Sequence, residues 1–477
     1  MGNMIKPDSP SGAEHGFAPR SLAVPSEGRA AMSFAQHLRA TLVLGVPLAG
    51  SHLAQIALHV TDTVLLGRYG TPELAAGVIS TSTFFILFIL GAGFGKAVMP
   101  MVATALGAGA DDQVRRATRM GLWLSILFGV AIYPVLWFSG PLLRALGQTE
   151  EVARLGQEYM RIAGLGMIPA LISMTLTSLL SAVGRTGVIL WVTLASVVLN
   201  FVLNYALIFG HWGAPELGIR GSGIATVSVQ IAGALAFAAY AARAGDLRRF
   251  RLFSRFWRPD WPAFGQVFRL GAPIGLTSLA EGGLFHASAV MMGWIGTVEL
   301  AAHGIALEAT AMAFMVHLGL ASAATIRIGN AAGTGDLRGM REAGLVAIAV
   351  SALFGIAVVT LFLVAPAPIV ELFVDPSKGD AAAIIAFGTK LMAVAALFQL
   401  GDAMQAMALG LLRGVQDTRV PMWIAAFSYW VVGVPVSYAL GFLLGFGGIG
   451  LWLGLATGLF LAASLLMWRF WSRLPRA

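Results

Sequence analysis

The chain contains no cysteine and very little charge. Without cysteine there is no disulfide, no thiolate nucleophile and no Cys-ligated metal, and the redox compartment stays open. Asp, Glu, Lys and Arg make up 11% of the 477 residues, against roughly 25% in a soluble domain, and apolar residues reach 57%. Charge is missing altogether from residues 120–143, 162–184, 186–215, 343–370 and 420–468. About 20 residues of helix cross the hydrocarbon core, so each of the first four runs spans once. The last is long enough to span twice, with Gly445, Gly447 and Gly448 at its turn. A soluble core has no use for so many spans. The chain is read as a polytopic membrane protein.

Other absences narrow the function. No H-E-x-x-H or G-x-S-x-G pattern occurs, which argues against an intramembrane enzyme. The run Gly91–Lys96 only superficially resembles a phosphate-binding loop. It lacks the G-x-x-x-x-G-K-[ST] spacing and follows an apolar span rather than a strand, so nucleotide binding and an ATP-driven pump are rejected. No cofactor is expected. The net charge of +8 does not mean nucleic acid, because the basic residues are spread over short loops. No apolar h-region marks a signal peptide, and the polar first 40 residues are expected to be a disordered tail.

The pattern predicts an all-α membrane protein of twelve transmembrane helices, near 41–66, 74–106, 117–138, 157–181, 188–210, 221–243, 265–293, 298–329, 340–364, 381–411, 420–444 and 449–472. Cytoplasmic loops are enriched in Lys and Arg. Of 31 basic residues, 23 fall on the side of the two termini and 5 on the other, so both termini are expected in the cytoplasm. An internal repeat is legible at an offset of 226, carrying Gly45-Val46-Pro47 onto Gly271-Ala272-Pro273. The same offset carries Glu73-Leu74-Ala75-Ala76 onto Glu299-Leu300-Ala301-Ala302. Six spans separate the copies, which predicts two six-helix lobes related by a pseudo-two-fold along the membrane normal, with substrate handled between them. The expected division is a tail over 1–40, an N-lobe over 41–243, a basic linker over 244–263 and a C-lobe over 264–477. The linker interleaves Arg248, Arg249, Arg251, Arg255 and Arg258 with Phe250, Phe253, Phe256 and Trp257. It is read as a topology-setting loop rather than a segment lying on anionic lipid.

Function should show in the polar residues of the spans, which are costly there. Helix 1 carries His52, Gln55, His59 and Asp62 on one face, and helix 5 carries Thr193, Ser196, Asn200 and Asn204 on one stripe. Together they suggest a hydrated cavity, although Thr193 and Ser196 fit better as hydrogen-bonding residues and Asp62 lies near a helix end. Glu281 sits mid-span in helix 7 beside Ala280, Gly282 and Gly283. Asp402 lies in helix 10 with Phe398 and Gln405 on its face. Neither acid has a basic partner nearby in sequence. A lone buried carboxylate takes up a proton or binds a cation, the two elementary acts of a cation-coupled carrier. His286, His303 and His317 are read as packing residues and Lys96 and Lys390 as snorkelling to an interface. Met404 and Met407 suit either a pliable ligand surface or core filling.

These residues, in this order, resemble the multidrug and toxic compound extrusion family in its NorM-like branch, from about residue 40 to 470. The most specific pieces are Val60-Thr61-Asp62-Thr63-Val64, Leu199-Asn200 through Asn204-Tyr205, Gly213-Ala214-Pro215-Glu216-Leu217-Gly218, Ala280-Glu281, Ala301-Ala302-His303, Asp402-Ala403 and Leu412-Arg413-Gly414. The resemblance implies that Asp62, Glu281 and Asp402 are functional acids and that Asn200 and Asn204 line the N-lobe cavity. Gln55, Phe398 and Gln405 are further candidates for the cavity or substrate. Some members have a tyrosine one turn before the helix-10 aspartate. This chain has Phe398 there, so that hydroxyl is absent, and Glu308 stands where a neutral residue is expected.

The expected protein is an antiporter of the bacterial inner membrane, monomeric, in contact with membrane lipid and not with nucleic acid. Sodium or protons would drive the export of amphipathic, often cationic, small-molecule drugs. Sodium is favoured, held by Glu281 and Asp402 with amide and backbone oxygens. A lipid-linked precursor flippase is the alternative, and it would favour a cavity dominated by Lys and Arg. The orientation is directly testable. A reporter fused after Ala477 is expected to be active only in the cytoplasm, and one inserted at Gly213 only outside. Activity on the opposite side at either position would overturn it.

Overall fold

The computed structural model describes residues 32–375 and 379–474, so residues 1–31 of the expected tail over 1–40, and Lys378, lie outside the described residues. All regular structure among the described residues is helical. Twelve long helices cross back and forth: α1 (Phe34–Tyr69), α2 (Thr71–Gly107), α3 (Asp111–Trp137), α4 (Glu150–Ala182), α5 (Thr186–Phe209) and α6 (Ile219–Arg243) form the N-lobe. The C-lobe holds α7 (Trp261–Ile295), α8 (Thr297–Thr334), α9 (Leu337–Val364), α10 (Ala381–Gly414), α11 (Arg419–Leu443) and α12 (Gly447–Arg473). All but α7 are apolar enough over 18 residues to be recognised as spans by hydropathy. The exception is informative, because α7 gives up hydropathy to Glu281, Gly282, Gly283 and His286.

Helix ends deviate from the sequence pattern for local reasons. Residues 34–40, expected in the disordered tail, form the first turns of α1. Ser33 and Gln36 close a reciprocal capping box there, each side chain bonding the other's backbone N–H at 3.3 and 2.8 Å. A similar extension starts α4 at Glu150 rather than near 157, because Thr149 caps Val152 N–H and Glu150 and Glu151 face the helix N-terminus. Inside α4 a single 3₁₀ turn, Gly164–Gly166, interrupts the α-helix. Segment α11 contains two π-helical stretches, Phe427–Gly433 and Ala439–Leu443.

The repeat is visible in three dimensions. Pro47 and Pro273 interrupt the hydrogen-bond ladders of α1 and α7 at matching places. Short helices, Ser139–Ala145 and Pro366–Glu371, follow the third span of each lobe. Each lobe has its own buried core. In the C-lobe it gathers Leu284, Met292, Leu391, Trp452 and Leu455, and in the N-lobe Val98, Met120, Leu176 and Leu180.

The lobes meet mainly through α1, α2 and α3 on one side and α7, α8 and α9 on the other. The crossings are built from glycine. A Cβ on Gly275 would lie 2.5 Å from the Leu90 carbonyl oxygen, and one on Gly271 would lie 2.7 Å from the Phe94 Cα. Gly319 is pressed against the backbone of Ala49, and Gly333 against that of Gly107. Bare backbone lets the helices approach closely where lipid supplies no hydrophobic drive between them.

Polar bonds between the lobes accompany these crossings. His37 meets Glu342 at 3.0 Å, and Arg327 donates to the His37 carbonyl at 3.1 Å and to Thr41 Oγ1 at 2.7 Å. A second Arg327 nitrogen meets His37 Nδ1. Gln416 Nε2 donates to Thr104 Oγ1 at 3.1 Å. Arg327, on α8, is thus bound to the opposite lobe.

The linker is docked rather than loose. Leu247, Phe250 and Leu252 are buried in the N-lobe core, and Trp123 Nε1 donates to the Phe256 carbonyl at 2.9 Å. Arg116 grips Asp260, the N-cap of α7, at 2.6 and 3.1 Å. Those bonds hold the Asp260 carboxyl below the ordinary carboxylate range despite partial burial. A depressed carboxyl stabilises above its unfolded pKa, and the gain fades only as pH falls through the folded value. The tie is therefore constant across neutral pH.

Every crossing and inter-lobe bond named here lies in the half of the helices nearest the termini. The lobes are sealed on that side. Gly275→Val should wedge this seal, since overpacking costs about 1–3 kcal/mol. A cysteine placed at Ala103, buried beside Gly329, would be the sole thiol. Its labelling by a maleimide is expected to rise roughly tenfold in the Gly275→Val background, about 1.4 kcal/mol of opening. Equal labelling in both backgrounds would mean this crossing does not hold the seal.

Candidate functional site

In the N-lobe, α1 and α5 bring Asp62, Asn200 and Asn204 together. One oxygen, Asp62 Oδ1, accepts from Asn200 Nδ2 at 3.0 Å and from Asn204 Nδ2 at 2.7 Å. The 3- and 4-residue spacings on each helix place these groups on facing stripes. A carboxylate near a helix end is in this way turned into the bundle instead of out to the interface. Asp62 and Asn200 border a cavity of about 190 Å³, with Gln55, His59, Thr193 and Ser196 on its polar wall. Phe84, Phe85, Phe88 and Met174 supply the apolar wall. Asn204 is fully buried and stands behind Asp62, so it positions the acid and does not line the cavity. Thr193 and Ser196 bond the carbonyls of Ile189 and Val192 in their own helix, at 2.8 and 2.9 Å.

In the C-lobe, α7 and α10 face each other at mid-depth. Gln405 Nε2 donates to Glu281 Oε1 at 3.3 Å. Asp402 is 3% exposed, and its Oδ1 has no hydrogen-bond partner among the described residues. Gln399 is fully buried with both amide atoms unpartnered, and Gln405 Oε1 is likewise unpartnered. So many unsatisfied polar atoms are unusual, because burying a polar group without a bond costs about 1–3 kcal/mol. Gly283 leaves space that the Trp430 ring fills, whereas Gly282 opens on free space.

Several expectations change. Phe398, expected on the cavity face, is 1% exposed and packs edge-on against Trp452 and Phe285, with ring centres 5.1 and 6.0 Å away. Helix α10 is tightly packed on α12, which leaves that face no opening. Lys96 does not reach an interface. It lies within electrostatic reach of Glu281 and Arg413 in the other lobe and of His52 in its own. Glu281 therefore has two basic neighbours, Lys96 and Arg413. The sequence held one signal for this: Arg413 follows Asp402 by 11 residues, roughly three helical turns, and so shares its face. Tyr429 on α11, with its hydroxyl buried and unpartnered, gave no such signal.

The remaining candidates sort by packing. His303 Nδ1 accepts from Trp452 Nε1 at 2.9 Å, and His317 Nδ1 pairs with Ser351 at 2.8 Å. His286 Nδ1 meets the Gly282 carbonyl at 2.9 Å. Met404 is exposed and Met407 buried. Lys390 is exposed. Among the described residues no group of three or more His, Cys, Asp or Glu side chains is placed to hold a metal ion. An ion held at Glu281 and Asp402 would need amide, hydroxyl or backbone oxygens as well.

Comparison with known proteins fits this two-lobed arrangement. The MatE family model matches residues 47–206 and 273–439, one block in each lobe. A probable multidrug resistance protein NorM of Rhizobium meliloti (strain 1021) is 48% identical, covering 93% of this chain and 95% of its own. A protein of the same description from Agrobacterium fabrum is 43% identical, covering 92% and 94%. Among solved structures, a MATE protein in complex with MaD3S superposes with a TM-score of 0.83 at 21% identity, over 93% of this chain and 99% of that one. An outward-facing multidrug resistance MATE family transporter gives 0.81 at 22% identity, over 94% and 99%. At these identities the structures speak for the twelve-helix fold, and the sequence relatives for the lineage. With both halves matched and near-complete coverage, the chain belongs to the multidrug and toxic compound extrusion (MATE) family of transporters, in its NorM-like branch.

Proposed function

We propose that the protein is a cation-coupled multidrug efflux antiporter of the bacterial inner membrane, with sodium as the favoured coupling ion. The observation that carries this reading is the contrast between its two acid sites. In the N-lobe, Asp62 borders a partly aromatic cavity with its carboxylate fixed by two amides. In the C-lobe, Asp402 is buried with an oxygen that has no hydrogen-bond partner among the described residues, within electrostatic reach of Glu281. A cavity with an acid on an aromatic wall suits amphipathic organic cations, which aromatic faces also attract. Two carboxylates with Gln399 and Gln405 oxygens nearby suit a desolvated monovalent cation. Protonation of the same acids is the competing use, since coupled carboxylates titrate as a pair.

Coupling follows from the seal. Lys96 belongs to the N-lobe and Glu281 to the C-lobe, so ion binding at Glu281 alters an electrostatic link across the cleft. Binding that differs between the sealed and parted states shifts their populations, and binding that does not shifts nothing. Rocking of the two lobes would then expose the sites to each side in turn.

The test is efflux of a fluorescent cationic drug from proteoliposomes with pH clamped on both sides and an inward sodium gradient imposed. Sodium is expected to stimulate transport. Glu281→Gln and Asp402→Asn keep size but remove charge, and each should lower the stimulated rate roughly tenfold or more, as expected for loss of a charged partner. Asp62→Asn should chiefly raise the drug concentration for half-maximal transport. Efflux that ignores sodium but follows an imposed pH gradient would make the proton the driver. Full transport by the Glu281→Gln, Asp402→Asn double variant would remove both acids from the mechanism.

A further inference from the structure

The strongest unexplained group near the C-lobe acids is Tyr429. Its side chain is fully buried, and its hydroxyl has no hydrogen-bond partner among the described residues. Buried hydroxyls rarely stay unpaired in native proteins, and each one that does calls for a physical account. Its surroundings offer one. Tyr429 lies within electrostatic reach of Glu281, Asp402 and Arg413.

The backbone around it is specialised. Tyr429 sits in the π-helical stretch Phe427–Gly433. A π-bulge inserts an extra residue into a helix and re-aims the side chains that follow, and it occurs disproportionately at functional sites. The next residue fixes this turn against α7. Trp430 Nε1 donates to the Ala280 carbonyl at 3.2 Å, and the Trp430 ring occupies the space beside Gly283. These two anchors flank Glu281 on either side. The π turn is thus tied to the helix that carries the acid, and Tyr429 is placed by that tie.

The ligand count points the same way. Phe398 contributes no oxygen and faces the aromatic core. Asp402 Oδ1, both amide atoms of Gln399 and Gln405 Oε1 are all buried in this region with no hydrogen-bond partner among the described residues. A phenol is a neutral oxygen donor, so it adds a ligand without adding to the charge that Lys96 and Arg413 already balance.

We propose that the Tyr429 hydroxyl is a further ligand of the sodium ion held by Glu281 and Asp402, aimed there by the π-helical turn of α11. This rests on the sodium-coupled reading above and deepens it. The Tyr429→Phe variant deletes one oxygen and keeps the ring that fills the core, so folding is expected to survive, as an unchanged melting temperature in detergent would show.

The experiment is sodium-stimulated efflux from proteoliposomes at clamped pH, wild type beside Tyr429→Phe and Trp430→Phe. For Tyr429→Phe, the sodium concentration giving half-maximal stimulation should rise about three- to tenfold, the scale of one lost neutral hydrogen-bonding group. The maximal rate and the half-saturating drug concentration should stay within about twofold of wild type. Trp430→Phe, which keeps the hydroxyl and loosens its anchor, should give a smaller shift of the same kind. An unchanged sodium response in Tyr429→Phe, with wild type sodium-stimulated, would overturn the role of Tyr429 and leave the coupling intact. A loss of maximal rate without a change in sodium dependence would also overturn it. Wild-type transport indifferent to sodium would overturn sodium coupling itself, and the ligand role with it.

Discussion

Hydrocarbon offers no hydrogen bonds, so every polar group carried into it must be satisfied by the protein or be put to use. The architecture follows from that constraint. Backbone groups are closed inside twelve helices, and hydroxyls such as Thr193, Ser196, Thr277 and Thr325 return to carbonyls of their own helices. His303 and His317 find a tryptophan and a serine partner. Around Asp402 several unsatisfied atoms fall together: its own Oδ1, both amide atoms of Gln399, Gln405 Oε1 and the Tyr429 hydroxyl have no hydrogen-bond partner among the described residues.

The two lobes use one scaffold for two kinds of acid. In the N-lobe two asparagines on α5 are spent on a single oxygen of Asp62, which fixes its direction. In the C-lobe Gln405 is given to Glu281, and Asp402 keeps an oxygen open. The repeat supplies the shared scaffold but not the acids: at the offset of 226, Asp62 falls on Ser288 and Glu281 on Gln55. The divergence of their neighbours explains why they need not do the same work.

Much of this was legible in the sequence, for physical reasons that can be named. Spans show because charge is excluded from them, and even α7, the least apolar, is framed by its neighbours and by the repeat of Pro47 at Pro273. Asp62, Asn200 and Asn204 were legible because helical periodicity converts spacing into a shared face. What sequence spacing does not carry is rotation and contact between distant helices. Phe398 shares the face of Asp402 along α10, yet α12 covers it with Trp452. Lys96 looked like a residue bound for the interface because nothing local opposes it. The charges it faces lie 185 and 317 positions away, the attracting Glu281 and the repelling Arg413. The π turn at Tyr429 leaves no mark in composition at all.

The glycine crossings between the lobes carry a thermodynamic consequence. A seal made of long side chains would freeze their rotamers on closing and release them on opening, adding an entropic term of about 1–2 kcal/mol for each such residue. Gly271, Gly275, Gly319 and Gly333 have no rotamers to freeze. Closing and opening therefore differ mainly by contact attraction and by the few bonds of His37, Arg327, Gln416 and Asp260. The bare backbone at the seam thus removes the side-chain entropy term from any parting of the lobes.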